Sequence, residues 1–284
     1  MWRGVAAMVY LILAILSSSL VSICMRLSGD RVKNNISLLA VNYLICSLVA
    51  AADAGWSILP AAEGVGSTLI MGIIHGSFYL GSFWLLQKNV RKNGVVLSAT
   101  FMKLGLLVPM TVSLLMFREQ PGLLQVIGFV IALCAIVMIN GAEAEASVQS
   151  RAGLLLLLLA GGGGDAMAKI FEETGQQSLE PQFLLYTFVT ALMLCLVLCV
   201  KSGQTLGKYE LLFGVLIGVP NFLSARFLLK ALAALPAVIV YPACSVGTIL
   251  AVTMAGVAFF GERLGRRQWG ALGLTLVSLI FLNL

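Results

Sequence analysis

The chain has 284 residues, of which 60% are apolar and only 11% are charged. A soluble domain is roughly half apolar and about a quarter charged, so this composition excludes an ordinary water-soluble globular protein. A helix bundle in lipid needs no polar outer surface, and the bilayer is therefore the expected surroundings of this chain. The 18 lysines and arginines outnumber the 12 acidic residues, but in a membrane protein such an excess reports topology, and we expect no nucleic-acid partner.

Apolar segments recur along the chain, each long enough to cross about 30 Å of hydrocarbon, which takes roughly 20 residues. They predict an all-α integral membrane protein of about ten transmembrane helices. The predicted helices lie near 4–26, 36–52, 66–87, 94–116, 121–140, 152–171, 181–200, 209–230, 236–260 and 267–284. The first segment follows Arg3 as a secretory signal would, but it lacks a convincing small-x-small cleavage site, so we interpret it as a mature helix.

The six cysteines all fall inside these apolar segments, where a thiol behaves as a small hydrophobic group. Cys195 and Cys199 share one helix face, but no histidine or carboxylate accompanies them. They indicate packing rather than a metal site, and we expect neither a metal nor a cofactor.

Basic residues concentrate on one side of the predicted bundle. Twelve of them lie around the connections that follow odd-numbered helices, which we call the basic side. Only Arg3, Arg118 and Lys230 belong to the opposite side, which we call the termini side. Because positively charged loops stay in the cytoplasm, this count predicts a cytoplasmic basic side and places both chain termini outside.

Related polar residues recur at an offset of about 143 positions. The matched pairs are Arg26 with Lys169, Tyr43 with Tyr186, Phe117 with Phe260, Glu119 with Glu262, Gln125 with Gln268 and Asn140 with Asn283. They predict a first five-helix repeat at 1–140, an acidic linker at 141–151 and a second five-helix repeat at 152–284. Because five is odd, the second repeat must enter the membrane from the opposite side, and carriers use such inverted repeats to enclose a central site. A channel, an enzyme or a receptor could also be duplicated.

The two repeats end in similar turns, M-F-R-E-Q-P-G-L-L-Q-V-I-G from Met116 to Gly128 and F-F-G-E-R-L-G-R-R-Q-W-G from Phe259 to Gly270. These turns resemble those of the drug/metabolite transporter superfamily, specifically its EamA-type members, although the first copy has Arg118 where the family has glycine. The resemblance implies ten helices, a central cavity lined mainly by helices 1, 3, 4, 6, 8 and 9, and transport of metabolites, amino acids or drugs by alternating access. It also implies that both termini are cytoplasmic, which is opposite to the prediction from the basic residues, and both orientations stay open.

Ionisable residues at membrane depth are costly and therefore indicate functional sites. Asp165 follows four consecutive glycines, and Lys169 lies one helical turn later, so the two side chains could neutralise each other. The alternatives are a structural ion pair beside a small-residue packing seam and a site for a substrate or proton. Lys103 lies about nine residues into its helix, roughly 13 Å deep, so we expect its amine to face a cavity or to pair with Asp165.

Four further cavity candidates, Asn221, Arg226, Tyr241 and Ser245, accompany two prolines inside helices, and such prolines free backbone carbonyls. Arg226 could instead reach the membrane interface, and Tyr241 could be ordinary packing.

His75, the only histidine, lies near Tyr79 in the third helix, and both are further candidates for the cavity wall. It could couple transport to protons together with Asp165, or it could be a hydrogen-bonded helix contact. Glu119 and Glu262 lie at helix ends, where we expect a structural role at the positive end of the next helix.

The sequence thus favours a secondary transporter of a small solute, driven by an ion gradient or by the gradient of the solute. The surplus of intramembrane cationic groups favours a solute with an anionic group. The alternatives are an enzyme acting on a lipid or isoprenoid phosphate, which would need converging carboxylates or a histidine with an acid, and a flippase for a lipid-linked substrate. We expect a multi-pass protein of the plasma (inner) membrane, as a monomer or a homodimer.

Overall fold

The computed structural model describes residues 2–29, 31–93, 95–140, 150–203, 205–261 and 265–282. In these residues the regular structure is entirely helical. The α-helices are α1 (Trp2–Ser28), α2 (Asn35–Asp53), α3 (Val65–Asn93), α4 (Val95–Lys103), α5 (Leu107–Met116), α6 (Leu123–Asn140), α7 (Arg151–Thr174), α8 (Glu180–Ser202), α9 (Lys208–Leu232), α10 (Ala237–Phe260) and α11 (Arg266–Leu282). Two 3-10 turns lie at Leu104–Leu106 and Gln177–Leu179.

Eight segments of the described chain are long and apolar enough to cross a membrane, and α4 and α5 together form one of them. The other two predicted transmembrane helices correspond to α6 and α11. The apolar part of α6 is the shorter stretch Leu123–Met138, and α11 has 17 residues. Large apolar side chains such as Leu115 and Val200 face outward, as lipid contact allows. The prediction of a multi-pass membrane protein with about ten helices is confirmed.

The prediction of one continuous fourth helix at 94–116 was wrong, because a 3-10 turn at Leu104–Leu106 divides this segment into α4 and α5. Pro109 supplies the physical reason. It has no N–H to bond the carbonyl of Gly105 four residues earlier, and its ring would clash with that carbonyl, so the chain tightens locally. Lys103 is consequently the last residue of α4.

The third helix is longer than predicted because it continues past its apolar segment to Asn93. The Asn89 side-chain amide donates to the backbone carbonyl of Gly153 at 3.0 Å, and the side-chain Oδ1 of Asn93 accepts from the backbone N–H of Ser150 at 2.9 Å. These bonds tie the basic-side end of α3 to the start of α7.

The helices of the two halves pack mainly on each other. Helix α1 contacts α9 and α10, just as α7 contacts α3 and the consecutive helices α4 and α5. Helix α2 packs on α9 as α8 packs on α3, and the remaining major contacts join α2 to α8 and α6 to α11. Each of these contacts is matched by an equivalent contact when the halves are exchanged.

Two glycine pairs allow close approaches of α3 to α8 and of α9 to α2. A Cβ at Gly72 would come within 2.6 Å of the Tyr186 side chain on α8, and one at Gly214 would come within 2.5 Å of Val41 on α2. Gly76 and Gly218, each one turn later, make similar contacts with the same partner helices. Small residues four apart let helix backbones approach in lipid, where dispersion contacts replace the hydrophobic effect.

The turn that ends α5 has a left-handed backbone at Arg118 (φ 54°), and the turn that ends α10 has one at Gly261 (φ 64°). Glycine adopts this conformation without strain, whereas arginine does so at a cost. Several sequence predictions lie outside the described residues, namely most of the linker 141–151, the remainder of the second turn with Glu262, and Asn283.

Candidate functional site

A polar cavity of about 310 Å³ lies between α1, α3, α4, α7, α9 and α10. These are the first, third, fourth, sixth, eighth and ninth predicted transmembrane helices. The predicted residues on its wall are Tyr79, Lys103, Asp165, Asn221, Tyr241 and Ser245. Ser18, Ser22, Ser224 and Thr248 add four hydroxyl groups.

A second compartment of about 270 Å³ adjoins this cavity and shares Val21, Tyr79, Asp165 and Asn221 with it. Its other lining residues are mostly apolar or small, and they include Met25, Leu39, Phe78, Phe83 and Gly161. Met25 lies three residues before the end of α1, which corresponds to about 5 Å along the helix axis. The second compartment therefore extends from the polar cavity toward the basic side.

The termini side of the polar cavity is closed by packed side chains. Leu11, Phe171, Leu229 and Val238 lie beyond the cavity in this direction, and all four are at most 3% exposed. Tyr241 crosses from α10 to α7, where its hydroxyl donates to the backbone carbonyl of Asp165 at 2.6 Å. Packed side chains thus separate the polar cavity from the termini side of the bundle.

Lys103 and Asp165 carry the charges on the cavity wall. The Lys103 side chain is exposed and Asp165 is half-buried, although both lie within membrane-spanning segments. Within the described chain neither side chain has an ion-pair partner within 4 Å, so they do not form a direct salt bridge with each other. Lys103 lines the cavity, which was one of the two arrangements expected for its amine, the other being a pair with Asp165.

Lys169 does not pair with Asp165, which corrects one expectation from their spacing. Its ammonium instead lies 2.9 Å from the Glu119 carboxylate, 3.4 Å from Glu172 and 2.6 Å from Glu173. Asp165 faces the cavity, whereas the long Lys169 side chain reaches carboxylates at the termini-side end of α7. The side chain of Lys169 is 2% exposed, but Glu119 and Glu173 are 16% and 35% exposed, so this cluster is partly hydrated.

Glu119 joins three elements at one carboxylate. Besides Lys169 of α7, it accepts the backbone N–H of Ala237, the first residue of α10, at 3.1 Å. We expected it to meet the helix that follows it, but it meets the start of α10 in the other half. Partial burial opposes ionisation of this carboxyl, but the hydrogen bond and charge of Lys169 and the N–H of Ala237 outweigh burial and hold its pKa below the ordinary value.

Arg226, predicted as a cavity residue, does not line either compartment. Its guanidinium bonds the Glu180 carboxylate at 2.7 Å and lies 3.1 Å from the Asp53 carboxylate. Both acids belong to the termini-side ends of their helices, and the arginine lies near the same end of α9. The structure therefore places Arg226 in an ion-pair cluster that links α2, α8 and α9.

His75, predicted as a coupling residue, does not line either compartment. Its ring stacks on Phe183 at a centroid distance of 5.1 Å, and its Nδ1 lies 3.2 Å from the hydroxyl of Thr187. Because that hydroxyl donates to the carbonyl of Phe183, it is free to accept, so Nδ1 carries the proton. The structure places His75 in the contact between α3 and α8, with Tyr79 edge-on to its ring.

The glycine run before Asp165 forms a packing seam and leaves α7 continuous. A Cβ at Gly162 would overlap the carbonyl of Gly105, and one at Gly163 would come within 2.6 Å of the Phe78 ring. The 3-10 turn that follows Lys103 thus packs directly on the turn of α7 that precedes Asp165. This contact sets the relative position of the two charged residues.

Sequence reasoning predicted Asn221 but missed the neutral polar groups around it, namely Ser18 and Ser22 of α1, Asn42 of α2 and Ser224 of α9. The hydroxyls of Ser18 and Ser224 lie 2.5 Å apart, and the Asn221 amide donates to the Asn42 side-chain oxygen at 3.3 Å. The serines recur on one face of α1, where Ser18 and Ser22 lie four residues apart. That spacing was a usable signal for a cavity wall.

Residues 5–141 match the EamA-like transporter family. An uncharacterized protein of Haemophilus influenzae is 24% identical, and the alignment covers 91% of this chain and 92% of that protein. A crystal structure of a protein that is 17% identical superposes with a TM-score of 0.73, covering 97% of this chain and 95% of the other. This second likeness shows that the two chains share a fold.

Proposed function

We propose that this chain is a membrane transporter of the drug/metabolite type, as the match of residues 5–141 to the EamA-like transporter family supports, and that it carries a small solute across the bilayer by alternating access. The observation that carries the proposal is the polar cavity of about 310 Å³, which is enclosed by helices of both halves and closed at one end. That volume lies at the low end of small-molecule sites, which favours a small solute.

The contacts on the termini side suggest how the closed end opens. The Glu119 carboxylate, in the loop between α5 and α6, bonds to α7 and α10. The ion pairs of Arg226 join α2, α8 and α9. Both clusters bridge helices of different halves, so a rocking motion of one half against the other would break them. Partly hydrated ion pairs are suitable for such a contact, because water replaces the lost partner when they separate.

The exchange symmetry of the helix contacts supports an inverted repeat with units near 1–140 and 152–284. In such a carrier the state closed on the basic side is related to the observed state by exchanging the conformations of the two halves. The cavity between them would then open toward the termini side.

Asp165 is the carboxylate on the cavity wall, so we expect it to couple flux to a pH gradient. His75 has a lesser claim because its side chain lies in the contact between α3 and α8 and lines neither compartment. We place the transporter in the plasma membrane.

Cys244 provides the direct test, because it lines the polar cavity and can be kept as the sole cysteine. In oriented vesicles, a membrane-impermeant maleimide should label Cys244 from the basic side and also, as the carrier alternates, from the termini side. Labelling from the basic side alone, together with no uptake of any radiolabelled metabolite by proteoliposomes, would contradict a carrier. Serine at position 244 gives the background signal.

A further inference from the structure

A separate cavity of about 310 Å³ lies between α3 and α8 at the basic-side end of the bundle, and we call it the basic cavity. The two helices touch at Gly72 and Gly76, and this space lies between their last turns. None of its lining residues lines the polar cavity or the second compartment. Besides two apolar side chains, they are Trp84, Gln87, Lys88, Arg91, Lys201 and Ser202.

Three cationic side chains converge on the basic cavity, two from α3 and one from α8. They are Lys88, Arg91 and Lys201, and no acidic side chain is among the described residues that line this space. Within the described chain none of the three has a carboxylate within 4 Å. The Nζ of Lys88 lies 3.5 Å from the centre of the Trp84 ring. Like charges around one small space repel each other, and an anion between them would remove that repulsion.

The opposite end of the bundle shows how a comparable cation is neutralised by the protein itself. Exchanging the halves relates the contact between α3 and α8 to the contact between α9 and α2. There Arg226 bonds the Glu180 carboxylate at 2.7 Å and lies 3.1 Å from that of Asp53. The basic cavity has more cations and, in the described chain, no such carboxylates. Its counter-charge is therefore left to a ligand.

The basic cavity borders the lipid-facing surface of the bundle. One helical turn closer to the membrane centre, Trp84 precedes Lys88 and Val197 precedes Lys201. Trp84 is 45% exposed and Val197 is 50% exposed, so both present apolar surface to lipid. Tryptophan is enriched at the level of the lipid headgroups, where one end of its ring is apolar and the other is wet. A phosphate held by the cations would thus have a lipid-facing apolar surface directly beneath it.

We propose that the basic cavity binds the phosphate of an anionic phospholipid. Lys88, Arg91 and Lys201 surround the phosphate, and Trp84 packs against the glycerol and the upper part of the acyl chains. Arginine bonds phosphate through two parallel N–H groups, and lysine acts as a point charge. Basic pockets between transmembrane helices bind such headgroups. A zwitterionic phospholipid would bring its own cation among three like charges, so the cavity selects lipids with a net negative charge.

Trp84 is the reporter for the test. The full-length protein, with its other three tryptophans replaced by phenylalanine, is placed in nanodiscs of phosphatidylcholine and phosphatidylglycerol. Either one lipid or the other carries brominated acyl chains, which quench indole fluorescence on contact. Both leaflets have the same composition, so the orientation of the protein does not affect the result. We expect brominated phosphatidylglycerol to reach half-maximal quenching at a mole fraction about tenfold lower than brominated phosphatidylcholine does.

Charge-removing variants assign the site. Lys88→Gln, Arg91→Gln and Lys201→Gln should each lower the preference for phosphatidylglycerol about fivefold, whereas Lys201→Arg should retain it. Lys92→Gln is the matched control, because it removes the same charge from the next position of α3 and Lys92 does not line the basic cavity. Each variant is compared between the two lipids, so a change in the brightness of Trp84 cancels. The unfolding temperature in phosphatidylcholine alone shows that each variant is folded.

Three results would overturn the inference. Equal quenching by the two brominated lipids would show that the cavity does not select an anionic lipid. A loss of preference in Lys92→Gln as large as in Lys88→Gln would show a diffuse basic surface. Displacement of brominated phosphatidylglycerol by millimolar glycerol phosphate or inorganic phosphate would show that the ligand is a water-soluble phosphate. Labelling of Cys244 from both sides tests the carrier function separately, because Cys244 lines the polar cavity.

Discussion

The ammonium of Lys169 lies 2.9 Å from the carboxylate of Glu119, so a residue of α7 is held by the connection between α5 and α6. The same carboxylate accepts the first backbone N–H of α10. This one side chain therefore fixes two cavity-lining helices at the closed end of the cavity.

Glu119→Gln should favour the state that opens toward the termini side. The amide can still accept from Ala237, but it loses the charge that attracts Lys169. A loss of roughly 1.4 kcal/mol in closing free energy would raise the labelling of a sole Cys244 from that side about tenfold. Glu172→Gln is the control, because Glu172 pairs with Lys169 inside α7 and its carboxylate bridges to no other element among the described residues. Equal labelling in both variants would refute the bridging role.

Acidification should weaken the same contact only at low pH. The pKa of Glu119 lies below its ordinary value of about 4.5 in the folded protein, so its stabilising contribution is fully present above that value and is lost as the pH falls through the folded pKa. The difference in unfolding temperature between wild type and Glu119→Gln should be constant from about pH 8 to 6 and shrink below about pH 4.5. A difference that already vanished near pH 6 would mean that the carboxyl titrates differently.

Arg226→Gln should destabilise the protein without changing solute recognition. It leaves Glu180 and Asp53 without their cation, which costs about 1 kcal/mol because both pairs are partly exposed, and it should lower the unfolding temperature. The apparent affinity for a transported solute should change less than about twofold, because the guanidinium is away from the cavity. Arg226→Lys, which keeps the charge, should be milder. A large loss of affinity in a variant of normal stability would return Arg226 to the binding site.

Gly162→Ala should destabilise the contact between α7 and the turn after α4. The added methyl group would overlap the carbonyl of Gly105 and the side chain of Val108, and such overpacking costs about 1–3 kcal/mol. Gly164→Ala is the matched control, since its nearest neighbours would be 3.7 Å away, an ordinary contact distance. Thermal unfolding compares the two, and equal stability would show that the seam tolerates separation.

Much of the architecture could be predicted because lipid imposes length and composition on every span. Helix bounds such as α10, predicted at 236–260 and observed at Ala237–Phe260, follow from apolar segments alone. The division of the fourth helix was not predicted, although Pro109 is a sequence signal for it. A count of apolar residues does not register a missing backbone donor.

The candidate site was harder to predict because helical spacing does not specify partners. The spacing of Asp165 and Lys169 allows an ion pair, yet Lys169 bonds Glu119 from 50 positions earlier in the chain. Arg226 and His75 are polar residues in apolar helices, as Lys103 is, and no local pattern distinguishes them. Only their tertiary neighbours do.

The sequence by itself determined that the chain is an integral membrane protein, that it has about ten membrane-spanning helices and which polar residues interrupt its apolar segments. Each of these properties depends on local composition and length. Only the tertiary structure decided which of those polar residues share a cavity. Helix faces are chosen by packing between segments far apart in sequence, and that packing turns Lys103 and Asp165 toward a common space while it pairs Lys169 and Arg226 elsewhere.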